Sequence, residues 1–214
     1  MPPLRFAIVL ALPVLPCLAY SAEEEANWSF QVLIGDAYNF ESHTRIEHES
    51  WGERSFDGDY ETRGLEGPLH YAWRISRWVD DRGWELQLLH HKIYLQDPPA
   101  GVEALSVSHG FNIVSVNRSL KYRGWILRGG VGPVITHAEA NVLGTSYDGP
   151  YEVAGAAALL GVARELELGE HFRLLGEISA TFGYIDAHPD GTPELGLTIR
   201  NPAIHAQVGV GYRF

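Results

Sequence analysis

AIHAQVGVGYRF, residues 203–214, carries the clearest fold signal in this 214-residue chain. Apolar or aromatic residues alternate in it with polar residues or glycine. The apolar set is Ile204, Ala206, Val208, Val210, Tyr212 and Phe214. The other set is His205, Gln207, Gly209, Gly211 and Arg213. Because successive side chains of a strand point to opposite faces, this period of two predicts a β-strand with one apolar and one polar face.

The same stretch resembles the closing strand of bacterial outer-membrane β-barrels, in which a terminal Phe is part of the assembly signal. The resemblance implies that Val208, Val210, Tyr212 and Phe214 form this signal and that the barrel-assembly machinery is a partner. It also implies the outer membrane of a Gram-negative bacterium as the location. Outer-membrane lipid and lipopolysaccharide are then the expected surroundings of the chain.

The first 21 residues have the layout of a secretory signal peptide. Arg5 precedes an apolar run, 6–18, of about 13 residues, whereas a membrane-spanning helix needs roughly 20. Small residues at Ala19 and Ser21 suit cleavage. We therefore expect a signal peptide over 1–21 and one barrel domain over 22–214. Lipidation at Cys17 is the alternative, although Pro16 stands where a small residue is expected; either way the barrel keeps no disulfide framework.

Composition excludes several function classes. The formal net charge of −11 disfavours nucleic acid as a partner, because phosphates would be repelled. After the leader, no run of 18 apolar residues exists, which argues against a helical membrane protein. The chain has 23 glycines and 11% aromatic residues, a composition that suits a barrel with aromatic girdles.

Turn signals divide the chain into strand-like segments. Short turns at 80–83, 121–124 and 168–170 alternate with longer connections at 96–104, 137–150 and 186–202. This alternation is typical of bacterial barrels, whose single chains have an even number of strands. The fold class predicted is therefore all-β, a closed antiparallel transmembrane β-barrel of 8–10 strands. Ten is favoured; eight is the alternative, with the polar segment 41–67 looped out. The strands expected before the closing one are 27–38, 44–49, 56–64, 69–79, 84–95, 105–120, 125–136, 151–165 and 172–185.

The strand register assigns a polar set of side chains to the barrel interior. These residues are His70, Arg74, Glu85, Gln87, Arg128, Arg173, Glu177, His205, Gln207 and Arg213. Since charges in a narrow lumen must be paired or hydrated, we expect an ion-pair network that fills the lumen. Glu177 is expected opposite Arg128 or Arg213. A gated channel or a lumenal catalytic group is the alternative.

A candidate site lies where three predicted strands reach the outer rim. His90 and His91 end one strand there, while Ser108, His109 and His137 lie on or beside its neighbours, with Glu139 close by. The candidate catalytic set is His91, Ser108, His109 and His137. A serine beside a histidine and an acid suits acyl transfer, and imidazoles with a carboxylate suit a transition metal. Since Ser108 and His109 are adjacent, they meet only if the strand contains a bulge. No cofactor or metal is assigned.

The chain as a whole resembles small bacterial outer-membrane β-barrel proteins and, more weakly, the lipid A deacylases. That family carries a His-x-Ser pair late in the chain, whereas here this spacing occurs only at His48-Glu49-Ser50. No catalytic residues are therefore transferred from it.

Three functions follow from these patterns. The first is a monomeric barrel with a filled lumen and a structural or surface role without catalysis. The second is a hydrolase that modifies lipid A through the His/Ser rim, and the third is a narrow solute channel. A blocked lumen with no convergent polar triad favours the first. A Ser or His within hydrogen-bond reach of an acid at the outer rim, facing lipid, favours the second, and a continuous wet lumen favours the third.

Overall fold

The computed structural model describes residues 27–189 and 194–214, so the predicted signal peptide lies outside the described residues. The described chain is almost entirely extended. Within it, no helix has the length and apolarity needed to cross a membrane. Thirteen strands are present: β1 (Asn27–Asn39), β2 (Ser42–His48), β3 (Gly52–Gly58), β4 (Tyr60–Glu61), β5 (Tyr71–Val79), β6 (Arg82–Leu95), β7 (Val102–Tyr122), β8 (Trp125–Thr136), β9 (Glu139–Val142), β10 (Thr145–Asp148), β11 (Glu152–Leu168), β12 (Phe172–Ala187) and β13 (Leu195–Arg213).

Eight of these strands form a closed antiparallel ring. Its order is β1, β5, β6, β7, β8, β11, β12 and β13. β13 returns to β1 over the whole length from Ser29↔Arg213 to Asn39↔Ala203. The predicted closed antiparallel β-barrel is therefore confirmed. Closure satisfies the backbone of the first and last strands, which would otherwise be exposed edges.

The preference for ten strands is wrong, and eight is the number in the ring. β1 pairs directly with β5, from Asn27↔Trp78 to Ile34↔Tyr71. The polar segment between them forms the β2–β3 hairpin, which adds to β13 beyond the ring through Leu195↔His48 to Arg200↔His43. The physical reason is charge: Arg45 pairs with Glu47 and Glu53 on this exposed hairpin, whereas the outward face of the ring is apolar.

The barrel has two unlike ends. The short-turn end holds the turns after β5, β7 and β11. The long-loop end holds the other connections, including the hairpin of β9 and β10, which lies in the segment predicted as a loop over 137–150. The closing strand also begins at Leu195, well before the predicted start at 203. Apolar residues such as Val107, Val142 and Ile199 pack inside this end.

The outer wall carries the apolar side chains. On β13, Val208 is 61% exposed, whereas its neighbour Gln207 is 3% exposed and points inward. Arg118 and Arg164 lie over the rings of Trp84 and Trp125 at 5.2 and 5.1 Å from the centroids. The exposed apolar residues of the ring include Trp28, Phe30, Val32, Ile34, Ile75, Trp84, Leu86, Val116, Trp125, Leu127, Val131, Leu160, Phe172, Leu174, Ile178, Phe182, Tyr184, Ile204, Val208, Val210 and Phe214.

Candidate functional site

Four charged side chains from four strands meet in the middle of the lumen. Arg74 (β5), Glu85 (β6), Arg128 (β8) and Glu177 (β12) form this lumen quartet. Arg74 Nη2 lies 3.0 Å from Glu177 Oε1, and Arg74 Nε lies 3.6 Å from Glu85 Oε2. Arg128 Nε lies 3.0 Å from Glu85 Oε2, and its Nη1 also contacts Glu177. Each arginine therefore meets both glutamates, and all four side chains have 0% exposure.

Neutral amides complete the hydrogen bonding of Arg74. Its Nε and Nη2 donate to Gln87 Oε1 at 2.9 and 2.7 Å, and its Nη1 donates to Gln31 Oε1 at 2.8 Å. Asn117 donates to the same Gln87 oxygen at 3.3 Å. Two positive and two negative groups balance, so the quartet is a neutral, hydrogen-bonded plug across a narrow lumen.

The other residues of the predicted lumen network lie apart from the quartet. Arg173 is buried, but it donates to backbone carbonyls at the short turn, including Phe172 O at 2.7 Å, and pairs with Glu167 at 3.3 Å. Arg213 is only half-buried at the short-turn end. Glu177 therefore meets Arg74 and Arg128, and not Arg213. His205 belongs to a second group of buried histidines.

A β-bulge shapes the rim at the long-loop end. β6 and β7 pair at His91↔Phe111 and next at Ile93↔Val107, so Lys92 alone stands opposite residues 108–110. Gly110 has a φ of 142°, and a Cβ on it would overlap the Asn112 side chain. The bulge turns two consecutive side chains toward each other, and Ser108 Oγ lies 3.1 Å from His109 Nδ1. This is the condition under which the two residues were expected to meet.

Glu139, the first residue of β9, is the centre of the rim cluster, which we define as Ser108, His109, His137, Glu139 and Asp148. Ser108 Oγ donates to Glu139 Oε2 at 2.8 Å. His109 Nδ1 lies 3.2 Å and His137 Nε2 lies 3.7 Å from Glu139 Oε1. His137 Nε2 also lies 2.9 Å from Asp148 Oδ1. Three of the four residues predicted for the catalytic set are thus brought together.

The hydrogen-bonding pattern of the rim cluster differs from that of a Ser-His-acid triad. In a triad, the acid binds the imidazole nitrogen that is remote from the serine. Here His109 Nδ1 faces both Ser108 and Glu139, and the carboxylate also accepts the serine proton directly. The arrangement therefore offers Glu139 as a base for Ser108, and its carboxylate and imidazoles also form a group that can hold a metal ion.

His91, the fourth predicted member, does not lie at the rim. It is fully buried in the lumen, with its ring 5.6 Å from that of His70 and 5.0 Å from that of His205. The sequence contained the signal for this placement. His91 has the same parity along β6 as Glu85, which was assigned to the interior, and the pleat holds this parity up to the bulge. His90 points the other way and stacks on Tyr71 at 4.9 Å.

No family model matches the chain, and no curated protein matches it significantly. Among solved structures, Neisserial surface protein A aligns with 89% of this chain and 100% of its own, at 12% identity and a TM-score of 0.40. Ail, the attachment invasion locus protein of Yersinia pestis, aligns with 89% of this chain and 99% of its own, at 13% identity and a TM-score of 0.41. The outer membrane protease OmpT from Escherichia coli aligns with 92% of this chain and 99% of its own, at 11% identity and a TM-score of 0.44. The chain is thus similar to these three proteins over most of its length.

Proposed function

We propose that this protein is an integral β-barrel of the bacterial outer membrane with a sealed lumen and a structural or surface role without catalysis. The observation that carries the proposal is the lumen quartet. Its four charges are fully buried and mutually paired, so the interior offers no continuous aqueous path at its level. This supports a filled barrel over a narrow solute channel.

The outer wall supports the membrane location. Along β12, the outward side chains run from Phe172 through Ile178 to Tyr184. At about 3.3 Å per residue and a tilt of about 40°, this band is about 30 Å tall, close to the apolar band of about 25 Å in outer-membrane barrels. A closed ring is one of the two backbone arrangements that leave no unpaired polar group in lipid.

The long-loop end is the surface that this barrel presents to the outside. Two hairpins, β2–β3 and β9–β10, extend the wall there, and β2–β3 carries charges of both signs. In the proposed function, lipid and lipopolysaccharide surround the wall, the barrel-assembly machinery inserts it, and the protein acts as a monomer without a nucleic-acid partner.

Epitope insertion in whole cells tests location and orientation together. A short tag at Gly144, in the β9–β10 turn, is expected to be labelled by antibody on intact cells. The matched tag at Gly124, in the turn between β7 and β8, is expected to be labelled only after the outer membrane is opened. Both glycines have positive φ in turns, and neither would bring a Cβ closer than 3.9 Å to a neighbour. Recovery of the protein in a soluble fraction, or reversed labelling, would contradict the proposal.

The rim cluster supports a second candidate, a hydrolase that acts on lipid A at the outer leaflet. The specific observation is that the bulge places Ser108 Oγ within hydrogen-bond distance of both His109 and Glu139. The test is mass spectrometry of lipid A after incubation with the purified barrel. Acyl release that disappears in Ser108→Ala and persists in Ser106→Ala would establish the hydrolase. Ser106 is the matched control, because it also donates to Glu139, at 3.1 Å, in the same strand. No release by the native protein is the result expected from the first proposal.

A further inference from the structure

Three histidines lie together inside the barrel, on the long-loop side of the lumen quartet. His70 precedes β5, His91 lies on β6 and His205 lies on β13, and each is completely buried. We call them the lumen triad. Their ring centroids lie 5.0 to 5.6 Å apart. One ring nitrogen of each lies within 4.8 Å of a ring nitrogen of both others. We propose that the lumen triad binds a first-row transition metal ion such as Zn²⁺.

The surroundings of His91 leave one of its nitrogens free to be a ligand. His91 Nε2 lies 2.9 Å from Asn39 Oδ1 and 3.2 Å from Asn201 Oδ1. The amide of Asn39 is oriented by its own donation to Thr62 Oγ1 at 2.8 Å. Because two acceptors face Nε2, that nitrogen carries the proton and Nδ1 keeps its lone pair. Nδ1 is buried and has no hydrogen-bond partner among the described residues. Fixing one imidazole nitrogen through an oxygen acceptor is how proteins orient metal-binding histidines.

His205 is also oriented through one of its ring nitrogens. Its Nε2 lies 2.8 Å from Thr181 Oγ1, and its Nδ1 faces His70 Nε2 at 3.3 Å. With metal–nitrogen distances of about 2.0–2.1 Å, two ligands of a tetrahedral zinc ion lie about 3.3–3.4 Å apart. The two nitrogens are therefore spaced as ligands of one ion. A direct hydrogen bond between the two rings is the competing explanation, and it leaves the His91 Nδ1 lone pair unpartnered.

The chemistry of the donors selects the ion. Three neutral imidazoles suit Zn²⁺, Cu²⁺ or Ni²⁺, whereas Ca²⁺ and Mg²⁺ require oxygen ligands. His205 lies two residues along β13 from Gln207, which pairs across the sheet with Glu177, so the triad occupies the next inward layer above the quartet. It is also separate in composition from the rim cluster, which shares none of its residues. An ion at this depth is expected to enter while the barrel folds and to exchange slowly afterwards.

Metal content of the refolded full chain tests the inference. The chain is stripped of metal while unfolded, refolded in detergent with Zn²⁺ alone, and passed over a chelating resin. We expect about one zinc per chain in the native protein and in the rim variant His109→Ala/His137→Ala. We expect at least a tenfold lower content in His91→Phe. Asn201→Ala removes one of the oxygens that orient His91, and it should weaken the affinity for zinc about 10- to 100-fold.

Cobalt provides a readout that does not depend on a variant that folds. Native protein refolded with Co²⁺ and passed over the chelating resin, which removes ions from the exposed rim cluster, is expected to keep the intense visible bands of a four-coordinate ion with nitrogen ligands. A metal-free native protein after this treatment would overturn the inference. Zinc retained in folded His91→Phe, or lost in the rim variant, would overturn it as well. Folding of each variant is checked by circular dichroism and by the gel mobility of the unheated barrel.

Discussion

The lumen quartet and the rim cluster are both groups of acids and bases, yet they lie in opposite environments. Each quartet side chain has 0% exposure and meets two opposite charges. In the rim cluster, the side chains of His109 and Asp148 are 55% and 71% exposed. The quartet is built on regular strands, whereas the rim cluster depends on the bulge at 108–110 and on the β9–β10 hairpin.

The contrast shows which polar groups the fold depends on. A buried charge must be fully paired, because an uncompensated charge inside protein is strongly destabilising. An exposed charge is solvated with or without its partner, so its pair contributes little. Each charge of the quartet therefore needs its partners for the barrel to be stable, and the rim cluster is free to serve a surface role.

The largest effect is expected from Glu177→Ala. Removing this carboxylate leaves the guanidinium groups of Arg74 and Arg128 buried with Glu85 as their one remaining ion-pair partner in the quartet. We expect a loss of about 3–5 kcal/mol in the free energy of unfolding. Urea titration of the barrel folded in lipid vesicles, followed by tryptophan fluorescence, measures it. A loss below about 1 kcal/mol would show that the lumen quartet contributes no more to stability than the rim cluster is expected to.

The next largest effect is expected from a charge placed on the outer wall. Val208→Arg places a charge on the outward side of β13, which the proposed function puts in lipid, and should cost about 2–4 kcal/mol at mid-depth. Val208→Leu, which keeps the site apolar, is the matched control and should change little. Folding yield into vesicles, measured by gel mobility, reports the difference. Equal yields for the two variants would show that Val208 does not face lipid.

The bulge should be sensitive to a single methyl group. Gly110→Ala adds a Cβ at a φ of 142° and against the Asn112 side chain, so we expect a loss of about 1–3 kcal/mol. Gly176→Ala is the control, because a Cβ there meets nothing within 4 Å and its φ is not in the left-handed region. Urea titration of both variants in lipid vesicles measures the change in the free energy of unfolding. An unchanged free energy of unfolding for Gly110→Ala would show that the bulge accepts a side chain at this position without strain.

The smallest effect is expected from Glu139→Ala, the rim counterpart of Glu177→Ala. Its carboxylate contacts Ser108 and two histidines but is one-third exposed, so water replaces the lost interactions. We expect a change of about 0–1 kcal/mol. A loss as large as that of Glu177→Ala would show that the rim cluster is also part of the structural core.

Alternation along the strands predicted the parts of the fold that obey a period of two. The closing strand and the inward facing of Arg74, Glu85, Arg128 and Glu177 follow from it, because pleating fixes the side of each residue. The partners of Glu177 did not follow, since strand tilt and stagger decide which inward residues share a level. Arg74 was in the expected set, but its contact with Glu177 required the register of the closed ring.

Departures from regular pairing explain what the sequence did not predict. The number of strands depends on whether the polar segment 41–67 joins the ring. The β2–β3 hairpin in that segment pairs with the extended β13, and no local sequence signal predicts this pairing. The β9–β10 hairpin, short and polar, resembled a loop. Proximity in the chain places His91 with the rim residues, but its parity along β6 places it in the lumen. The bulge that joins Ser108 and His109 is marked only by Gly110, one glycine among 23.

Ion conductance across a planar lipid bilayer is the sharpest test of a sealed lumen. We expect the native barrel to insert and to pass no measurable current, because the paired quartet closes the lumen. Replacing its four charged residues together by serine should open a small, steady conductance in whatever fraction of the variant still inserts. A stable open channel formed by the native protein would contradict the account.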